Sequence, residues 1–278
     1  MNRTMITATN TMSQLQMKLD LIGNNIANVG TTGYKSKSGT FSELMLQQVN
    51  NQQKLTEEIG RLSPAGIHVG NGARLGLVKV NLNQGSLQTT NRDLDVALTK
   101  EDLFFKVNVD GEVQFTRDGS FYLTPSTEGD GQYQLVTSEG HYVLNENNEP
   151  IIISGTIENI NITDDGTINV TTLEGLYQSI GLGVISVQNA QYLEQKSGNN
   201  VGLSRQALNN GITAADIYTD LVGNLRNDIS IEQGVIEASN VDLSQEMSNL
   251  MSTQRLYQFQ ARSVTLADQM LGLINSVR

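Results

Sequence analysis

Residues 5–35 read MITATNTMSQLQMKLDLIGNNIANVGTTGYK, and their spacing decides how the rest of the chain is organised. Met5, Ala8, Met12, Leu15, Leu19, Ile22, Ile26 and Val29 recur at alternating intervals of three and four, which is an a/d heptad seam. Between Met5 and Asn28 the only charges are Lys18 and Asp20, whereas a helix solvated on its other faces carries more. The stretch is a helix built to be covered. Asn24, Asn25, Asn28, Gly30 and Gly33 lie at and just beyond the end of the seam, and both residue types tolerate the left-handed backbone that ends a helix.

The far end of the chain answers it. From about Asp242, the positions Leu243, Met247, Leu250, Gln254, Tyr257, Ala261, Val264, Ala267, Leu271 and Ile274 form a second seam with one stammer near Ala267. A further stripe, Leu256, Phe259, Leu266, Met270, Leu273 and Val277, lies on a neighbouring face, and one partner helix cannot cover both. Between the helices the period changes from 3.6 to 2. Phe105, Val107 and Val109 alternate with polar residues, Asp110-Gly111 supplies a type I′ turn, and Val113 and Phe115 begin the return strand. Asp118-Gly119 and Asp165-Gly166 repeat the punctuation among β-branched runs such as Ile151–Ile153 and Ile157–Val170.

The fold class that follows is α+β. Long N- and C-terminal helices pair as a coiled-coil-like hairpin, and a mainly antiparallel β-domain of sandwich or barrel type is inserted between them. The expected divisions are an axial helix over 1–30, an extended glycine-rich connector over 31–90 with a short amphipathic piece at Phe41–Val49, and a β-rich outer domain over 91–200. A connector over 201–235, with helical potential at Ala214–Leu225, and an axial helix over 236–278 complete the chain. The candidate assembly seam is Met12, Leu15, Leu19, Ile22 and Ile26 with Leu243, Met247, Leu250, Tyr257, Val264, Leu271 and Ile274. Apolar surface left over on both helices is a liability in a monomer and an interface in a polymer.

Composition narrows the function. The 278 residues carry 18 Lys and Arg against 29 Asp and Glu, a net charge of −11 that argues against nucleic acid and against docking on an anionic membrane by charge. Without cysteine there is no disulfide scaffold, thiolate metal site or Cys nucleophile. No apolar run reaches membrane-spanning length, and the N-terminus has no apolar stretch of signal-peptide type. Neither a Walker loop nor a G-x-S-x-G elbow occurs, and Gly70-Asn71-Gly72-Ala73-Arg74-Leu75 ends in Leu where a dinucleotide fingerprint needs Gly or Ala. His68 and His141 lie far apart, and Asp164-Asp165-Gly166 reads as a turn rather than a calcium loop. No catalytic, cofactor-binding or metal residue is expected, and no cofactor.

The run Asn24-Asn25-Ile26-Ala27-Asn28-Val29-Gly30-Thr31-Thr32-Gly33-Tyr34-Lys35 resembles the N-N-x-A-N-x-x-T-x-G-[FY]-K signature of flagellar rod and hook proteins. Glu237-Ala238-Ser239-Asn240-Val241-Asp242-Leu243, with Thr253-Gln254-Arg255 and Ala267–Leu271, is similar to that family's C-terminal segment. Asp95-Val96-Ala97, Phe104-Phe105 and Phe115-Thr116-Arg117-Asp118-Gly119-Ser120-Phe121 match the start of its β-domain. The motif residues carried over are Asn24, Asn25, Ala27, Asn28, Thr31, Gly33, Tyr34, Lys35, Ser239, Asn240, Val241, Gln254 and Arg255.

The resemblance implies a structural subunit of the basal-body rod, polymerising helically around a central channel for motility. Its terminal helices would form the inner tube and its β-domain an outer layer. Implied partners are itself, other rod and hook-junction subunits and the flagellar type III export apparatus, with export across the cytoplasmic membrane and no cleaved signal peptide. Leu62–Asp95 is most like the distal rod member. Met12-Ser13, where Thr-Gly is common, and Leu98–Asp102, where glycines are usual, depart from the pattern. Two other classes make different predictions. A wall-associated glycan hydrolase using two carboxylates would turn over glycan, and an adhesin module would be a stable monomer with dispensable helices.

Overall fold

The computed structural model describes residues 2–43, 47–49, 67–69, 73–126, 131–196, 198–205, 209 and 211–276. Residues 62–66 and 70–72, which carry part of the resemblance to the distal member, and 44–46 of the expected amphipathic piece lie outside them. The chain is an N-terminal helix, a C-terminal helix and a central antiparallel β-domain. It divides into a helical unit (residues 1–26, 37–78 and 243–278) and a β unit (27–36 and 79–242).

In the helical unit, the helix Asn2–Ala27 buries Ala8, Leu15 and Ile22, spaced by sevens, with Met5, Met12, Leu19 and Ile26 half-buried beside them. The helix Leu243–Ser276 buries Thr253 and Ala267 and half-buries Glu246, Leu250, Tyr257, Val264 and Leu271. These positions are three, four or seven apart, so one stripe faces inward. Its most enclosed members are small. Thr253 tolerates burial because its hydroxyl donates to the Asn249 carbonyl at 2.7 Å, leaving no orphaned polar atom. Thr9, Met12, Ser13 and Gln16 of the first helix and Tyr257, Ala261 and Val264 of the second line one groove of about 450 Å³.

The chain between the helices does more than connect. Lys37–Glu43 pairs with Ala73–Val80, and Gln47–Val49 runs antiparallel to Ile67–Val69, so stretches expected as loop-rich backbone form ribbons.

In the β unit, the strand Leu103–Val109 is the hub of a ten-stranded sheet. It pairs antiparallel with Glu112–Thr116, Tyr142–Val143 and Val184–Val187. Asp110 (φ +53°) and Gly111 (φ +85°) make the two-residue turn into Glu112–Thr116. Because both faces of the hub are covered, its alternation splits between two cores. Leu103 and Phe105 join Phe121, Leu135, Ile153 and Val184 in one, where Phe105 meets Phe121 edge-on at 5.3 Å. Phe104 joins Phe115, Ile185, Val201 and Ile217 in the other. A three-stranded sheet (Ile157–Ile162, Thr167–Thr172, Tyr177–Gly181) closes the first core with Ile160, Ile162, Ile168 and Val170.

Residues 201–235 belong to this unit's sheets. Val201–Leu203 pairs with Leu193–Gln195, Tyr218–Asp220 with Val184–Val187, and Ile231–Gln233 with Val96–Leu98. The helix expected at Ala214–Leu225 is a single turn, Ala214–Ile217, capped by Thr213 and Asp216. It stops because β-prone Tyr218 and Thr219 extend the sheet edge while Ile217 fills the second core.

Candidate functional site

The strand Val235–Glu237 alternates buried, half-buried, buried, which sends Val235 and Glu237 inward together. It pairs antiparallel with Leu87–Thr89. An inward carboxylate must be matched by charge. Two cations meet it, each from a different motif. Lys35 Nζ donates to Glu237 Oε1 at 2.7 Å, and Arg117 Nε lies 3.0 Å from Glu237 Oε2. The three side chains are 3%, 1% and 0% exposed.

Geometry distinguishes the two contacts. Lys35 Nζ also donates to the carbonyls of Asn83 (2.8 Å) and Leu82 (3.2 Å), so its three protons are all taken. Glu237 Oε1 further accepts the Gly85 amide at 2.8 Å. Arg117 is close enough for an ion pair with Oε2 but not aligned for a hydrogen bond, so that contact is one of charge alone. Its Nη1 donates to the carbonyls of Lys100 (2.6 Å) and Leu103 (2.8 Å).

Burial is the main cause that lowers the Lys35 pKa to about 8; the Arg117 guanidinium pushes the same way and Glu237 opposes both. Arg117 is also lowered, chiefly by burial.

Backbone bonds fasten the same segments. Gly33 N donates to Glu237 O at 2.8 Å, and Asn240 Oδ1 accepts Ser36 N at 2.7 Å. Asn240 Nδ2 donates to the carbonyls of Asn81 and Asn83, and Thr32 Oγ1 donates to Asp118 Oδ1 at 2.9 Å. Gly33 has φ +66°, and a Cβ there would lie 2.3 Å from the Asp118 nitrogen. Tyr34 is 1% exposed.

Several motif residues therefore converge on one enclosed junction: Gly33, Tyr34, Lys35 and Asn240, with Thr31 turned onto Asn28 (3.2 Å), Ser239 accepting the Val241 amide and Val241 half-buried. In the helical unit, Asn25 is fully buried and acts as a peptide mimic, its Oδ1 accepting Lys37 N (3.0 Å) and its Nδ2 donating to Lys37 O (2.9 Å) and Glu246 Oε1 (3.2 Å). Asn24, Ala27, Gln254 and Arg255 are exposed, and Arg255 lines a shallow groove with Met251, Leu256 and Phe259. Of the seam residues, Leu15 and Ile22 are buried, and Met12, Leu19, Ile26, Leu250, Tyr257, Val264 and Leu271 half-buried. Leu243 (43%), Met247 (42%) and Ile274 (56%) are exposed. Glu237 and Arg117 were visible only as members of quoted motifs, and strand alternation through Val235 was the one signal that Glu237 points inward.

An increase in stability at alkaline pH should follow from Lys35. Between about 8 and its ordinary value of 10.5 the unfolded chain holds this proton and the native chain does not. Stability from this group therefore rises with pH across that window, by on the order of 1 kcal/mol per pH unit at most. Lys37, also lowered by burial, adds in the same sense, and Tyr218, raised by burial, opposes only above about 10. Denaturant midpoints at pH 7.5 and 9.5 should show the gain in wild type and a smaller one in Lys35→Met. A wild-type midpoint that falls over that interval would contradict it.

The enclosed charge cluster joins three distant stretches of chain, around Lys35, Arg117 and Glu237. A β unit tied to its flanking motifs, with long helices at both ends, is the build of a structural subunit. Family models agree at all three stretches: "Flagella basal body rod protein" over residues 5–35, "Flagellar hook protein FlgE/F/G D1 domain" over 101–170 and "Flagellar basal body rod FlgEFG protein C-terminal" over 232–277. The chain is 42% identical over 280 residues to the flagellar hook-basal body complex protein FlhP of Bacillus subtilis, covering all of both chains. It is 31% identical to the basal-body rod protein FlgG of the same organism, again over both whole chains, and 35% identical to FlgG of Buchnera aphidicola subsp. Schizaphis graminum over 94% of each. The chain belongs to the flagellar basal-body rod protein family and is a structural rod subunit of the flagellar basal body.

Proposed function

We propose that this subunit polymerises helically through its terminal helices, which pair along their heptad seams and line the channel of the drive shaft. It reaches the distal stretch of the rod through the flagellar type III apparatus, meets other rod and hook-junction subunits there, and catalyses no reaction. The terminal helices then supply the axial part, and the β unit, with residues 201–235 in its sheets, the outer part.

The observation that carries this reading is apolar surface on the C-terminal helix away from its inward stripe. Met251 (54%), Phe259 (65%), Leu266 (59%) and Leu273 (67%) are exposed, more than a solitary soluble helix tolerates. Met247→Asp and Ile274→Asp test it without a large folding penalty, because both side chains are already exposed. The expected outcome is a folded chain with unchanged circular dichroism that fails to join the rod and leaves cells non-motile. Normal swimming in both variants would remove the exposed seam from the interface.

A further inference from the structure

Charge is divided unevenly between the two units. The β unit holds nine Lys and Arg against twenty-three Asp and Glu, a net of −14; the helical unit holds nine against six, a net of +3. The surface is more one-sided than the totals. Among the described residues of the β unit, sixteen acidic residues are exposed but only three cations, Lys79, Lys100 and Arg205. Lys35, Lys106 and Arg117 are buried, where they serve internal partners: Lys106 Nζ, for instance, donates to Asp220 Oδ1 at 3.0 Å and to Asn148 Oδ1 at 2.8 Å.

The exposed apolar side chains of the C-terminal helix, by contrast, lie in the unit whose charges nearly balance. Two forces between copies are therefore assigned to different parts of the chain. Apolar contact is short-ranged and insensitive to moderate salt. Repulsion between acidic surfaces reaches over the screening length, roughly 30 Å at 0.01 M salt and roughly 8 Å at 0.15 M.

Resting on the polymer reading above, we propose that the acidic surface of the β unit regulates assembly, holding copies apart at low ionic strength and leaving the helical unit of a second copy as the partner once charge is screened. The second copy is the occupant because attraction and repulsion are both self-directed: each copy brings the same acidic β-unit surface and the same exposed apolar side chains on its C-terminal helix. Association through β units is thereby disfavoured at every separation within the screening length. Association through helical units, with a net of only +3 on each, carries far less of that penalty.

The test uses the full chain, with assembly followed by sedimentation and light scattering from about 10 mM to about 150 mM NaCl, a range set by those screening lengths. Wild type should assemble faster at the upper end by on the order of tenfold or more. A variant carrying Asp110→Asn, Glu112→Gln, Glu158→Gln, Asp164→Asn, Asp165→Asn and Glu174→Gln, all exposed positions, should assemble at low salt with a flattened salt dependence. Phe259→Asp should fail at every salt concentration. Wild-type assembly that ignores or falls with salt overturns the proposal while leaving the polymer intact. So does a neutralised variant that keeps the wild-type slope, since the effect would then be general salting-out. Absence of assembly by every form at every salt concentration overturns the polymer reading and this one with it.

Discussion

Glu237→Ala should be the most damaging single truncation in the β unit. It deletes the carboxylate that is in ion-pair contact with two cations whose side chains are 3% and 0% exposed, Lys35 and Arg117. Removing one partner of a buried ion pair typically costs about 3–5 kcal/mol, because the surviving charge stays desolvated. Here two charges survive, and the Gly85 amide loses its acceptor as well. Against a domain stability of roughly 5–15 kcal/mol, that is a large fraction. Thermal unfolding should drop by roughly 10 °C or more for a unit of this size. Glu237→Gln keeps an oxygen for Lys35 and Gly85 but not the charge, so it should fall between. Lys35→Met, Arg117→Leu and Glu237→Leu together should recover much of the loss, since a well-packed apolar replacement needs no counter-charge. An alanine variant within about 1 kcal/mol of wild type would mean that the cations relax to solvent and that the cluster is not a lock.

How far the sequence disclosed this can be seen residue by residue. The heptad spacing of Ala8, Leu15 and Ile22 was legible because helix burial repeats locally, and all three are buried. Phe105, Val107 and the Asp110-Gly111 turn were legible for the same reason, as strand alternation and positive-φ residues are local signals. The C-terminal helix was harder. The spacing picks out Ala267, which is 4% exposed, but also Leu243, Met247 and Ile274, which are exposed, and it passes over Thr253, which is 2% exposed. Small residues mark close approach, a property of the partner that no single helix displays.

The junction was illegible for a related reason. Lys35 and Glu237 are 202 positions apart, and a charged residue gives no sign of burial until its counter-charge is located. The one-turn helix Ala214–Ile217 likewise yielded to sheet pairing by Tyr218–Asp220, a tertiary effect that overrides local propensity.

Four glycines separate the two ways in which Gly33 is constrained. Gly30 has neither a positive φ nor a neighbour within 4 Å of a built Cβ, so Gly30→Ala should be near neutral. Gly111 has φ +85° but open space, and Gly111→Ala should cost only the left-handed backbone, about 1–2 kcal/mol. Gly119 has no positive φ, but its Cβ would fall 1.6 Å from the Val96 carbonyl oxygen, so backbone must move. Gly33 combines both faults: φ +66° and a Cβ 2.3 Å from Asp118 N and 2.4 Å from the Arg117 carbonyl carbon. The neighbour it strikes is the segment that holds Arg117 beside Glu237, and its own amide donates to Glu237 O. Displacing it should therefore add at least a lost hydrogen bond, about 1 kcal/mol, to the conformational cost. Gly33→Ala should lose on the order of 3–5 kcal/mol and Gly33→Val more, placing them among the most severe substitutions. The helical seam, built from other residues, should keep its circular dichroism while rod incorporation fails. Denaturant midpoints for the alanine series should rank Gly30, Gly111 and Gly33 in that order of increasing loss. A Gly33→Ala variant no worse than Gly111→Ala would show that the junction yields to a methyl group, and that Gly33 is kept for its backbone angle alone.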